Sequence, residues 1–336
     1  MEPHQVGHGA EQVIGRFILL GRGSLLAAAF SRIAQALVTA FAATVIVWAL
    51  LPLAPGDTAT RVLLARGVDH PTAAEIASTR EELGLNNPLH IQFVDWFSDV
   101  LQGDLGQSFT SRAPVTQEIL ERLPATLLLL GLALVFSAGL SLLFALISAD
   151  NRDRWPDRLI QLYTQVGAAL PTFVFALLAL TFVVVGFQMG QVLANATWQA
   201  ALIPAFIIGL DRAASWTQLL RAGLLEAMAS GYANVARARG ASERRILIRH
   251  ALPNAFLPFL TAIGISVGAL IGGAPLIEAI FTWPGLGAFL LEALSARNYP
   301  VIQAYVLIAA LSYVTASLLI DLIAILIDPR LRRQAS

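Results

Sequence analysis

ANVARARGASERRILIRHALPNAFLP, residues 233–258, interrupts a chain that is otherwise a succession of long apolar runs. It holds five arginines, Arg237, Arg239, Arg244, Arg245 and Arg249, and so belongs in water rather than lipid. Ala and Arg are strong helix formers, which predicts a short helix over 233–239, and Gly240 supplies a residue that tolerates positive φ just past its end. Ser242 is placed to cap a second helix and Glu243 favours its positive N-terminal end, while Pro253 lacks the amide donor needed to carry it far. The expected result is a helical elbow. Its small residues, Ala236, Ala238, Gly240 and Ala241, let another surface approach the backbone, and the arginines ring them with donors. A solvated basic loop would explain the arginines but not this order of Ala, Gly and Pro.

The composition around the elbow is that of a membrane protein. Of 336 residues, 57% are hydrophobic and 13% charged, where a soluble domain carries about 25%. Net charge is zero, so no global attraction draws the chain to nucleic acid. The absence of Cys excludes disulfides, thiolate metal sites and cysteine nucleophiles. There is also no Lys, and a Walker A loop needs one to reach the β and γ phosphates, so ATP and its Mg must be bound by a partner. No cofactor is expected in the chain itself.

Taken in order, residues 1–32 read as a tail whose apolar segment 13–30 either lies along the membrane surface or is disordered. Residues 33–53 form the first run long enough to span, since a bilayer takes about 20 apolar residues. They are too long for the core of a cleaved signal peptide. Residues 54–123 form a water-soluble insert, with helices expected at 72–83, closed by Gly84, and at 88–101, closed near Gly103. Phe93, Phe97, Val100 and Leu101 share one apolar face of the latter, which packs on the protein or on the membrane surface. A five-helix core, 124–327, follows with spans at 124–149, 159–187, 200–220, 257–280 and 301–327, and includes the loop 221–255; a tail closes the chain at 328–336. Pro171 and Pro204 inside apolar runs predict kinks rather than breaks.

The A-R-A-R-G of 236–240, with Leu252 and Pro253 twelve and thirteen positions after the glycine, resembles the EAA loop of ABC-importer permeases. Tyr232, ARARGASERR and RHALPNA are similar to the dipeptide/oligopeptide/nickel branch of that family. PGD at 55–57, LGLNNPL at 83–89, GDLGQS at 103–108, RLPAT at 122–126 and EAIFTWPGLG at 278–287 extend the likeness over most of the chain. The resemblance implies an all-α membrane protein of six transmembrane helices, in the type I ABC importer permease architecture, with a cytoplasmic EAA coupling helix. It makes Tyr232, Ala236, Arg237, Ala238, Arg239, Gly240, Ala241, Arg245, Leu252 and Pro253 the residues that couple to an ATPase. It implies as partners a second homologous permease, two ABC ATPase subunits and a periplasmic or lipid-anchored substrate-binding protein, all at the bacterial inner membrane. The implied cargo is di- or oligopeptides, with nickel or other chelates, opines and glutathione as alternatives within the family. One departure is visible: the acidic residue that opens the EAA motif corresponds to Asn234.

Elsewhere the candidates are fewer. Gly264, Gly268 and Gly272 share a face of the fifth span, and this spacing serves either tight helix packing or a smooth translocation path, readings that can both hold. Glu278, Pro284 and Gly285 fall in the stretch resembling the family's outer gate region; Glu278 and Asp321 are carboxylates near span ends, for which structural roles are expected. Asp211 and Arg212, being adjacent, are expected on different faces of their helix. His4, His8, His70, His90 and His250 are scattered, and only His4 and His8 have the i, i+4 spacing of a helical metal site. An ion-driven secondary transporter would show inverted repeats and broken, charge-paired helices, and an intramembrane enzyme a catalytic dyad or metal motif. No such repeat and no such catalytic or metal motif is found, and neither reading explains the elbow.

Orientation follows from arginine placement. The connections 150–158 and 221–255 carry three and six, each tail carries three, while 189–198 carries none and 282–300 only Arg297. Both tails and the elbow are expected inside. Because the chain has no native Cys, single cysteines report this directly: Ser242→Cys is expected to label only from the inner side and Gln107→Cys from the outer side. The reverse pattern would refute the topology.

Overall fold

The structure, a computed structural model, describes residues 7–53, 56–186 and 196–327. The expectations attached to the side chains of His4, His8 and Asp321 and to the tail 328–336 lie outside the described residues. Helix α1 (Gly7–Leu53) runs unbroken, so the segment expected at 13–30 and the first span are one helix, of which Ala29–Leu53 is long and apolar enough to cross a bilayer. No proline interrupts it before Pro52, and a helix with nothing to break it continues.

The insert contributes α2 (Thr58–Ala65), α3 (Ala73–Glu82) and α4 (Leu89–Leu101). Asp57 caps α2, and a reciprocal Thr72/Glu75 capping box opens α3. Gly84 and Gly103, at φ of +64 and +82, close α3 and α4 where expected. Arg80 ties α3 to the start of α2 through Asp57 at 2.6 and 3.0 Å. Asn298 holds the following loop to the bundle: its amide oxygen accepts from the Phe109 N–H at 3.0 Å, and its nitrogen donates to Ser108 and Thr110 at 2.8 and 3.0 Å.

The second span lies in α5 (Val115–Asp150), which begins inside the region assigned to the insert. The third is not straight. α6 (Trp155–Ala169) and α7 (Thr172–Ala179), the latter prolonged by a π-helical segment Leu180–Gly186, meet at 105°. Pro171 breaks the helix rather than kinking it, because the residue before a proline is pushed out of the α region, and Leu170 sits at φ −102, ψ 134. Pro204, by contrast, is carried within the continuous α8 (Trp198–Ala229). Then come α9 (Gly231–Ala238), α10 (Glu243–Ile246), a π-helical segment Leu247–Ala251, α11 (Leu252–Ile280), α12 (Leu286–Ser295) and α13 (Tyr299–Ile327).

By length and composition, Ala29–Leu53, Val115–Asp150, Glu243–Gly268 and Tyr299–Ile320 suit a bilayer, and the bent α6–α7 pair makes a fifth. The run expected as the fourth span falls in α8, which has Asp211 and Arg212 near its middle. These two do not diverge as their adjacency predicts. The long Arg212 stem curls back so that Nη2 and Nε donate to the Asp211 carboxylate at 2.6 and 2.8 Å, neutralising a carboxylate only 8% exposed.

α8 packs along α5, and α13 lies between α1 and α11. The glycine face of α11 is part of this packing. A Cβ on Gly264 would run into the Ile320 side chain, and one on Gly268 would stand 2.5 Å from the Tyr313 ring, both on α13. Gly272 has nothing within 4 Å of that position. Gly268→Leu is therefore expected to destabilise the chain by about 1–3 kcal/mol, the usual cost of overpacking, read as loss of monodisperse protein in detergent. Parent-like yield and melting would show that α13 is not seated on this glycine.

Candidate coupling site

The elbow forms as two helices about Gly240. Ser230 caps α9, its hydroxyl accepting from the Ala233 N–H at 3.4 Å, and Ser242 caps α10 through the Arg245 N–H, also at 3.4 Å. Between them Gly240 takes φ +84, and the N–H groups of Gly240 and Ala241 close back on the carbonyls of Arg237 and Ala236 at 2.9 and 3.1 Å. This is the glycine helix ending expected there.

Pro253 does not stop the second helix. A π-helical turn spans Leu247–Ala251, the Leu252 N–H donates to the Leu247 carbonyl, and Pro253 enters within the first turn of α11, where its missing N–H is tolerated. Leu247, Ala251, Ala255 and Phe259 then pack into a buried cluster with Trp216, Leu220, Leu224 and Ala227 of α8 and Ala145 and Ala149 of α5. Ile246 is fully buried, and Leu252 packs on the edge of the cluster. The elbow is thus rooted in the bundle on one side and exposed on the other.

Of the residues expected to couple, Tyr232, Ala236, Arg239, Gly240, Ala241 and Arg245 line one open concavity of about 490 Å³. Val235 and His250 complete it, and sequence reasoning missed both. His250 lies in the π-helical segment, whose register no sequence pattern announces. Ala238 and Pro253 are exposed but outside this lining. Arg237 points elsewhere. Its Nε and Nη2 grip the Glu243 carboxylate at 2.6 and 3.0 Å, Nη1 donates to the Asn234 amide oxygen at 2.8 Å, and Nη2 also reaches the Met228 carbonyl at 3.0 Å. It is a clamp across the turn rather than a donor offered to a neighbour. Asn234, the departure from the family's acidic residue, is one of the acceptors it uses.

Two buried carboxylates flank this arrangement. Asp157, fully buried, takes Arg221 Nε and Nη2 at 2.9 and 2.7 Å, the Asp153 N–H at 2.9 Å and the Ser148 hydroxyl, so one carboxylate joins α5, the 151–154 connection and α8. Glu278, also fully buried, accepts from Thr126 Oγ1 at 2.8 Å and from the Gly287 and Ala288 N–H groups at 2.6 and 3.0 Å. It caps the N-terminus of α12, the end that favours a negative charge. Gly285 and Gly287 are required beside it: a Cβ on Gly285 would strike the Glu278 carboxylate, and one on Gly287 would stand 2.5 Å from the Pro275 Cα. Of the outer-region candidates, only Pro284 is exposed, in a concavity it shares with Trp283, Thr282 and Glu292. Among the described residues no group of three or more His, Asp or Glu side chains could hold a metal.

An all-helical bundle with several apolar spans and a polar, arginine-edged elbow rooted between two of them defines a membrane transport subunit. The chain belongs to the family of binding-protein-dependent transport system inner membrane components, whose model matches residues 141–333, with the model for the N-terminal part of such components matching 25–130. It is similar to the glutathione transport system permease protein GsiC of Salmonella typhimurium strain LT2, 34% identical over 86% of this chain and 93% of that one. The same permease of Escherichia coli K12 is 34% identical over 88% and 95%. A crystal structure of an amino acid ABC transporter with histidines aligns with 62% of this chain and 94% of its own at a TM-score of 0.51 and 20% identity, a likeness of fold. The chain is thus a multi-pass inner-membrane permease of a binding-protein-dependent ABC importer, which works with ATPase and substrate-binding partners.

The Arg237–Glu243 clamp titrates in a predictable sense. Hydrogen bonding from Arg237 holds the Glu243 carboxyl below its ordinary value of 4.5, outweighing slight burial. A depressed carboxylate adds stability above its unfolded pKa and loses it as pH falls through the folded value. Both partners are partly exposed, so water and salt screen the bridge and its effect stays local to the turn. Arg237→Ala is expected to speed amide exchange of 234–243 severalfold, corrected for intrinsic rate, while α5 and α13 stay protected. The parent should lose this protection only below pH 4.5, and the variant should show no such dependence.

Proposed function

We propose that the concavity about Gly240 receives an ABC ATPase subunit, and that this chain, paired with a second homologous permease and served by two such ATPases, imports a short peptide. Both termini and the elbow then face the cytoplasm, and the substrate-binding protein delivers from the other side. The chain moves its solute without making or breaking bonds in it. The observation that carries this reading is the convergence of Tyr232, Ala236, Arg239, Gly240, Ala241 and Arg245 on one open groove whose root is packed into the spans. Small side chains there leave the backbone approachable, and two arginines and a tyrosine supply an anchoring rim of the kind enriched at interfaces.

Glutathione, itself a tripeptide, is the short peptide that the 34% identical relatives' names suggest. It lies within the peptide class the motifs resemble. A solute path is proposed along the part of α11 about Gly272, where no side chain of this chain stands within 4 Å of a Cβ position, and past the turn at Pro284.

Gly240→Asp tests the docking. Aspartate is among the residues least penalised at positive φ, so the turn at φ +84 is strained but kept while a carboxylate enters the groove; among the described residues nothing lies within 4 Å of the new Cβ. In vesicles holding the full complex, ATP-driven uptake of labelled glutathione is expected to fall about tenfold or more, a loss of roughly 1.4 kcal/mol in docking. Parent-rate uptake by a correctly inserted Gly240→Asp chain would refute the docking role. A parent complex that imports dipeptides but not glutathione would refute the cargo alone.

A further inference from the structure

Helix α4 lies deeper than a water-soluble insert requires. Its Phe93 ring stands 5.3 Å from Trp48 and 6.3 Å from Phe41 of α1, and Phe97 stands 6.0 Å from Phe41, all edge to face. Phe41 is twelve residues in from Leu53, the end of the span Ala29–Leu53, or about 18 Å along the helix axis at 1.5 Å per residue. That 25-residue span is about 37 Å long. A hydrocarbon core about 30 Å thick placed within it begins no more than about 7 Å from Leu53, which leaves Phe41 roughly 10 Å or more below its surface. Phe93, touching both Phe41 and Trp48, therefore reaches into the core.

The rest of α4 divides accordingly. At 100° per residue, the arc beside Phe93 and Phe97 carries Val94 and Leu101, 61% and 71% exposed, with His90 of the first turn on the same arc. The arc opposite them carries Asp95, Asp99 and Gln92. On α1, Phe41 itself and Leu37, one turn away on the same face, are exposed as well.

We propose that α4 is an interfacial helix in the leaflet on the Leu53 side of α1, with Val94 and Leu101 among lipid acyl chains and Asp95 and Asp99 turned to water. The occupant of the exposed face is lipid because the depth fixed by Phe41 excludes water, and because the neighbouring surface of α1 already faces acyl chains. An amphipathic helix of this kind sits about 5–10 Å into the headgroup–acyl boundary, the level at which the Phe93 contacts place it. The assignment holds whichever side of the membrane is outside, and it is independent of ATPase docking.

The test uses the full chain in phospholipid vesicles with single nitroxide-labelled cysteines at Val94, Leu101, Asp95 and Asp99. Molecular oxygen concentrates in acyl chains, and a water-soluble nickel chelate does not enter them. Labels at Val94 and Leu101 are expected to collide severalfold more with oxygen than with the chelate, and labels at Asp95 and Asp99 the reverse. Chelate-accessible labels at all four positions would place α4 in water and overturn the proposal. Labels at Val94 and Leu101 shielded from both reagents would also overturn it, in favour of a second protein, including another copy of this chain. Val94 and Leu101 report separately, so a chain that fails to insert with one label is read through the other.

Discussion

Asp157 has no exposed surface, and a carboxylate removed from water is tolerated only when its charge is met and its lone pairs are filled. Arg221 meets it with two nitrogens in the fork geometry suited to a carboxylate, while Ser148 and the Asp153 N–H occupy what remains. Breaking such a pair from one side leaves a buried charge alone, which is what makes the contact a constraint on everything attached to it. The attached parts are the end of α5, the entry to α6 and the last third of α8. The same α8 runs on to Ser230, the cap of α9, so this carboxylate, together with the buried cluster about Leu247 and Ala251, sets the position of the elbow relative to the bundle. Glu278 does the equivalent task at the other end, gathering α5, α11 and the start of α12.

How legible this was depends on how far apart in sequence the cooperating groups lie. The turn at Gly240 and the cap at Ser242 involve neighbours within five residues, and propensity suffices to locate the break; the Ser230 cap was not read. The same holds for the capping box of α3 and the glycines that end α3 and α4. The Arg237–Glu243 clamp spans six residues across a turn, and only the fold shows that the first arginine of the motif is taken up by Glu243 and Asn234. Asp157 and Arg221 are 64 residues apart, and each read alone is an ordinary charge beside a span.

Prolines marked the limits of local reasoning in both directions. Pro171 was expected to bend a helix and breaks it, because Leu170 before it turns extended. Pro253 was expected to end a helix and is accommodated by a π-turn just before it. The glycines of α11 show the same dependence on partners: spacing fixes that they share a face, but whether that face meets a helix or open space is settled by Ile320 and Tyr313, more than forty residues away.

The π-helical turn that absorbs Pro253 has a mechanical consequence. From Glu243 to Ile280 the backbone is helical without a loop, roughly 57 Å at 1.5 Å per residue. At one end of this rod is Arg245 on the rim of the elbow groove, and at the other is Glu278 holding the start of α12. A loop would absorb a push; a rod passes it on. With the groove as the proposed dock, a load there would reach the far face of the bundle through continuous helix, past the buried cluster around Leu247, Ala251 and Phe259 and the two prolines, Pro258 and Pro275, that α11 carries inside it.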